Sequence, residues 1–222
     1  MLDTTTGSRL DDTAEFAMRW SPSQGGPATG AAVLGLLNVQ HHSSGPDLYD
    51  VQYFSVTTPG DAPKGFTVLL RERVKAAKPE TTWKYRGAKR FPAQPLKKWN
   101  CPLLGADKSK DEMDVSLLAG GSVRRAYSRS CSVKGPISSV VPSALVPKAI
   151  GCAARMTRLE AGDLRVEEWT LSGRRVVLEV SMKGNDTASD LAAFKKDVAR
   201  KILQAGAKPL DRSKSELGTQ CN

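Results

Sequence analysis

Two five-residue stretches, EFAMR from Glu15 to Arg19 and EVSMK from Glu179 to Lys183, lie near opposite ends of a 222-residue chain and share one pattern: glutamate, apolar, small, methionine, base. Read as β-strands, their period of two puts Glu15, Ala17 and Arg19 on one face and Phe16 and Met18 on the other. Glu179, Ser181 and Lys183 likewise face away from Val180 and Met182. The same alternation recurs in LLRERV (Arg71, Arg73), WKYRG (Lys84, Arg86) and DEMDVSL (Glu112, Asp114, Ser116), and pairs Arg155 with Thr157 and Glu168 with Thr170. Guanidinium forks and ammonium groups suit the oxygens of a phosphate chain. Carboxylates on the same face would repel that chain unless a divalent cation lay between them, and such a cation also orients water for attack. The chemistry implied is metal-assisted phosphohydrolysis.

Positioning such residues calls for a particular architecture. A single charged strand face ordinarily meets solvent. Repeated on strand after strand opposite Leu, Val, Met, Trp and Tyr, it implies a mainly β (α+β) fold: a closed antiparallel β-barrel or tunnel of about eight strands, polar inside, with a few flanking helices on its apolar outer surface. After the first strand, the strand signals run over 48–56, 65–74, 81–87, 112–118, 124–133, 164–171 and 174–183, with SGR as a tight hairpin before the last. Helical spacing marks 28–39 and, most clearly, 186–206, where Asp186 or Thr187 caps the start and Gly206 with Pro209 ends it. The lysine-rich 89–110 and proline-rich 134–148 segments read as loops. The expected organisation is a flexible arm over 1–12, one barrel domain over 13–210 and a tail over 211–222.

Thirty-three Lys and Arg against 23 Asp and Glu give a net charge of +10 and a pI near 9.6, which favours an anionic partner. His41 and His42 are the only histidines, and Cys101, Cys131, Cys152 and Cys221 form no C-x-x-C pair, which argues against a zinc site. The longest apolar run, over 31–37, is too short to span a bilayer, so no membrane partner is expected. Free thiols and a cytoplasmic or nuclear location are the corresponding expectations.

The order of these strands resembles the triphosphate tunnel metalloenzymes, the superfamily of the CYTH proteins and of the fungal and protozoan type of RNA 5′-triphosphatase, the latter being nearest in pattern. EFAMR resembles that family's opening Glu-x-Glu-x-Lys/Arg strand. The paired bases Arg71 with Arg73 and Lys84 with Arg86 follow in order. ARMTRLEAGDLRVEEWTL resembles its basic strand and acid-x-Thr strand at Arg155 and Glu168, and LEVSMK its closing glutamate strand at Glu179. The likeness covers roughly residues 13–185. It implies a Mn²⁺- or Mg²⁺-dependent triphosphatase, with Glu15 and Glu179 as metal ligands. Arg19, Arg71, Arg73, Lys84, Arg86, Arg155, Arg158 and Lys183 would then hold phosphate, and Glu112, Asp114 and Glu168 would orient water or complete the metal shell.

Ala17 and Ser181 stand where that family carries its second glutamates, so each metal-binding pair keeps one carboxylate and activity would be impaired. The implied substrate is the 5′-triphosphate end of RNA, favoured by the net charge. No KxDG-type lysine is present, so any cap-adding step would need a separate guanylyltransferase. A CYTH-type inorganic or thiamine triphosphatase is the alternative within the family. Of another class is a non-catalytic basic barrel that stacks nucleic-acid bases on Trp83, Tyr85, Phe91 and Trp99.

Overall fold

The computed structural model describes residues 13–41, 45–56, 65–88, 108–141 and 147–218. Nine strands close into a barrel: β1 (Thr13–Trp20), β2 (Asp47–Ser55), β3 (Phe66–Lys75), β4 (Lys78–Gly87), β5 (Lys108–Leu117), β6 (Val123–Lys134), β7 (Lys148–Ala161), β8 (Leu164–Thr170) and β9 (Val176–Asn185). Their order round the wall is β1-β5-β6-β4-β3-β2-β7-β8-β9, with β9 returning to β1. β1 runs parallel to β5, whereas its other neighbour and the remaining pairs are antiparallel. The barrel is therefore mixed, one strand larger than the eight expected. The EFAMR and EVSMK strands lie side by side, pairing Glu15 with Lys183, Ala17 with Ser181 and Arg19 with Glu179.

Alternation decides what each strand presents to which side. Phe16, Met18 and Trp20 of β1, Met113 and Val115 of β5, and Leu178 and Val180 of β9 point outwards into one core. That core is covered by α1 (Gly30–Leu37) and by a C-terminal helix whose turns change from α3 (Ala188–Ala193) through a π segment (Phe194–Ala199) to α4 (Arg200–Gln204). Thr29 caps α1 and Thr187 caps α3, each side-chain oxygen accepting a first-turn N–H. A second outer cluster joins Leu70, Trp83, Tyr85 and Cys131 under α2 (Ile137–Val140), inside the 134–148 segment read as a loop. In the SGR turn, Gly173 and Arg174 have φ of 68° and 61°, the left-handed conformation a tight hairpin needs.

The third cluster lies inside the barrel, at one end. Val51, Tyr53, Ala154, Met156, Trp169 and Val177 meet Leu217 of a short fifth helix, α5 (Lys214–Gly218). The described part of the tail expected over 211–222 thus plugs this end of the barrel through α5. Gly218 permits the fit: a Cβ there would lie 2.5 Å from the Tyr53 ring.

Two sequence expectations change here. Cys131 is disulfide-bonded and no described cysteine is free, so the expectation of free thiols fails for it and the reducing compartment loses that support. Trp83 and Tyr85 are buried in the outer core, which removes them as a stacking platform; Phe91 and Trp99 lie outside the described residues. No described helix is long and apolar enough to cross a membrane.

Candidate functional site

Inside the wall lies a cavity of about 420 Å³. Eleven cationic side chains and six carboxylates line it, an excess of positive charge that suits a polyanion. A smaller cavity of about 320 Å³ beside α5 shares Arg19, Arg86 and Asp114 with it.

Parallel pairing of β1 with β5 sets Glu15 directly beside Asp114, and Glu112 lies one inward position away on β5. One carboxylate oxygen from each of the three falls within 4.8 Å of the others. Two oxygens bound to one cation at 2.0–2.6 Å lie at most about 5 Å apart, so the trio fits a divalent ion with little closure. Ser181 donates its hydroxyl to Glu15 Oε1 at 2.8 Å, and Arg165 Nη1 lies 3.7 Å from the same oxygen. Lys84 and Arg86 approach Asp114 Oδ2 at 3.4 and 2.8 Å, and Lys110 contacts Glu112.

A second group lies further along the lumen. β8 and β9 place Glu167 directly opposite Glu179, both side chains almost wholly buried at 2% and 1% exposure. Directly opposed like charges are destabilising, and cations surround this pair. Arg158 grips Glu167 Oε1 through Nε and Nη2 at 3.0 and 2.7 Å. Arg19 Nε lies 2.5 Å from Glu179 Oε2 while its Nη1 donates to Ser116 at 3.0 Å. Lys214 of α5 bridges the two acids, 2.7 Å from Glu167 Oε2 and 2.6 Å from Glu179 Oε1.

Burial raises the Asp114 carboxyl, but Lys84, Arg86 and Arg19 outweigh it and hold the pKa at about 2. Burial likewise raises Glu167, and Lys214 and Arg158 override it, keeping that acid well below the usual range. Glu15 is lowered as well, burial being overcome by Lys214 and Arg165. Arg71 behaves differently. Burial and then the neighbouring Arg73 lower it to about 10, and its Nε is buried without a hydrogen-bond partner among the described residues. A group of that pKa keeps its charge at neutral pH, so the lumen carries a buried guanidinium with an unused donor.

The depressed acids give a stability prediction with a definite sign. A folded-state pKa below the ordinary value stabilises the fold above the ordinary value, and that stabilisation is lost as pH falls through the folded value. For Asp114 this is about 2 kcal/mol, present at neutral pH and fading between about pH 4 and about pH 2. Urea unfolding of the metal-free chain should show the loss, with Glu15 and Glu167 adding in the same direction; a flat profile over that interval would contradict it.

Set against the sequence expectations, the lumen brings together Glu15, Arg19, Arg71, Arg73, Lys84, Arg86, Glu112, Asp114, Arg158, Glu179 and Lys183. Two assignments are corrected, and a third residue lies in the lumen in another setting. The Arg155 side chain is 88% exposed on the outer surface, 3.8 Å from Asp50, because Ala154 and Met156 of β7 take the inward positions. Glu168 also faces out and accepts from the N–H of Gly30 at the start of α1 at 3.1 Å; Glu167 takes the lumen position. Glu179 faces inwards but is held by Arg19 and Lys214, and the carboxylates that gather with Glu15 are Glu112 and Asp114.

Sequence reasoning missed Arg165, Glu167 and Lys214. In LRVEE the apolar Leu164 and Val166 alternate with Arg165 and Glu167, a signal for the correct parity that the following EWT obscures. Lys214 had a local signal too. Ser213-x-x-Glu216 is a capping box in which Ser213 Oγ accepts from the Glu216 N–H at 3.3 Å and Glu216 accepts from the Ser213 N–H at 2.5 Å.

No protein-family model matches this sequence, and comparison with curated proteins finds no match. Among solved structures, the PH1819 protein of Pyrococcus horikoshii OT3 is similar over 91% of this chain and 97% of its own, at 10% identity and a TM-score of 0.49. A candidate adenylate cyclase of Vibrio parahaemolyticus is similar over 92% and 97%, at 11% identity and 0.49. The Hippeastrum protein HpAC1, a candidate adenylyl cyclase described as having a dominant triphosphatase activity, is similar over 90% and 92%, at 12% identity and 0.48.

Proposed function

We propose that this protein is a divalent-metal-dependent hydrolase of triphosphates, acting at the terminal phosphate. The observation that supports it most directly is the juxtaposition, in one closed lumen, of three carboxylates within 4.8 Å and a wall of cations that includes the unpartnered Arg71. Glu15, Glu112 and Asp114 would hold Mn²⁺ or Mg²⁺, which when bound supplies a polarised phosphoryl oxygen and an acidified water. Arg71, Arg73, Lys84 and Arg86 would bind the phosphate chain and stabilise charge on the transferred group. Lys84 and Arg86 now neutralise Asp114, so a phosphate that draws them away leaves Asp114 free for the metal. Metal and triphosphate should therefore each tighten the binding of the other.

Within this class, the net charge of +10 favours the 5′-triphosphate end of RNA as substrate. The proposal stops at phosphate removal and extends neither to cap formation nor to a guanylyltransferase partner. Ala17 and Ser181 face each other across β1 and β9 next to Glu15, where acidic side chains would add ligands, and slow turnover is the expected consequence.

The test is release of γ-phosphate from 5′-triphosphorylated RNA, tripolyphosphate and ATP, with Mn²⁺ or Mg²⁺, by this chain and by Ala17→Glu with Ser181→Glu. Metal-dependent release, faster in the double variant, is the expected result. Failure of both chains to hydrolyse or bind any of the three would overturn the proposal, and preference for tripolyphosphate over RNA would move the substrate to the inorganic alternative.

A further inference from the structure

The buried Glu167–Glu179 pair is a second place in the lumen where opposed carboxylates call for a cation, and the structure shows which one answers. All four of its oxygens are taken. Arg158 holds Glu167 Oε1, Lys214 and the Trp169 indole N–H share Glu167 Oε2, Lys214 lies on Glu179 Oε1, and Arg19 on Glu179 Oε2. The two Glu179 oxygens are held by close ionic contact rather than by well-angled hydrogen bonds. We propose that Lys214 is a built-in counter-cation that keeps divalent metal out of the Glu167–Glu179 pair and so fixes the capacity of the lumen at one ion.

Lys214 is suited to this because its backbone is anchored. It is the first residue of α5, whose start is fixed by the Ser213–Glu216 capping box and whose Leu217 is buried in the inner core. Its ammonium also lies 5.9 Å from the centre of the Trp169 ring. Burial alone disfavours its charge, and Glu167, Glu179 and Glu15 together outweigh that, so the group stays cationic. A divalent ion would have to displace an ammonium tied to the fold and then sit against Arg19 and Arg158, whose charges repel it. The consequence for the chemistry is that one positive charge beside the substrate comes from the protein and cannot wash out. The capacity of one rests on the reading of Glu15, Glu112 and Asp114 as a metal site; exclusion at Glu167 and Glu179 does not.

The experiment counts bound Mn²⁺ on the metal-free full chain, by electron paramagnetic resonance of the free ion, for the wild type, Lys214→Met and Lys214→Gln. The glutamine variant keeps side-chain donors where methionine is not tolerated. One ion in the wild type and two in either variant is the expected result. Two in the wild type, or one in all three, overturns the proposal. None in the wild type and one in a variant upholds it while removing the Glu15 site; none in any chain overturns both. If neither variant folds, the side-chain ¹⁵N resonance of the Lys214 ammonium is followed in the wild type during saturation with Mg²⁺. Its persistence upholds the proposal and its displacement overturns it.

Discussion

Glu15→Gln should lower metal-dependent phosphate release by at least about a hundredfold, the scale seen when one charge-stabilising group is lost from a site of this kind. Glu15 is the carboxylate that β1 contributes to the trio with Glu112 and Asp114. Glutamine keeps the shape and one oxygen but removes the charge a hard cation requires. It also leaves Ser181 a carbonyl oxygen to donate to, so the fold should survive and the loss should fall on metal affinity and turnover together. Single-turnover rates over a Mn²⁺ titration, with circular dichroism as the control for folding, make the measurement. A loss of less than about tenfold would mean that Glu15 is not a ligand that matters to the reaction.

Glu179→Ala should destabilise the protein by about 3–5 kcal/mol, the usual consequence of removing one partner from a buried ion pair. The reason is what remains. Arg19 would keep its bond to Ser116, and Lys214 would keep Glu167 as its one close ion-pair partner among the described residues. Relief of the repulsion between the opposed Glu167 and Glu179 offsets a part of this, of order 1 kcal/mol or less. Urea unfolding at neutral pH reads the sum directly. A change below about 1 kcal/mol would show that the pair is wetter and more weakly coupled than its burial indicates.

Much of the lining of the lumen was legible in the sequence, and the reason is physical. Where a strand puts charged, hydroxyl or small side chains inside and larger apolar ones outside, as in Glu15–Arg19 or Glu112–Ser116, alternation alone reveals the lumen. β7 and β8 break that rule near the stoppered end, where the interior is itself apolar. Met156 and Trp169 point inwards, so Arg155 and Glu168 resemble lumen residues although they face out. Lys214 escaped for a different cause: its role depends on where a five-residue helix inserts, and no periodicity over so short a stretch says which wall it will meet. The mixed topology was equally hidden, because parallel pairing of β1 with β5 is decided by closure and leaves no local trace.

That closure also sets when the site can come into being. β1 has as partners β5 and β9, so one of its edges has no partner until Leu117 has been made and the other none until the chain has been synthesised as far as Asn185. Pairings of such long sequence separation are slow to form. The three carboxylates meet only when β1 docks beside β5, and Lys214 follows from beyond β9. A partly refolded chain could thus gather its three carboxylates beside β5 while the wall of the lumen is still open, and the enclosed site would be complete only once β9 closes on β1 and Lys214 is in place.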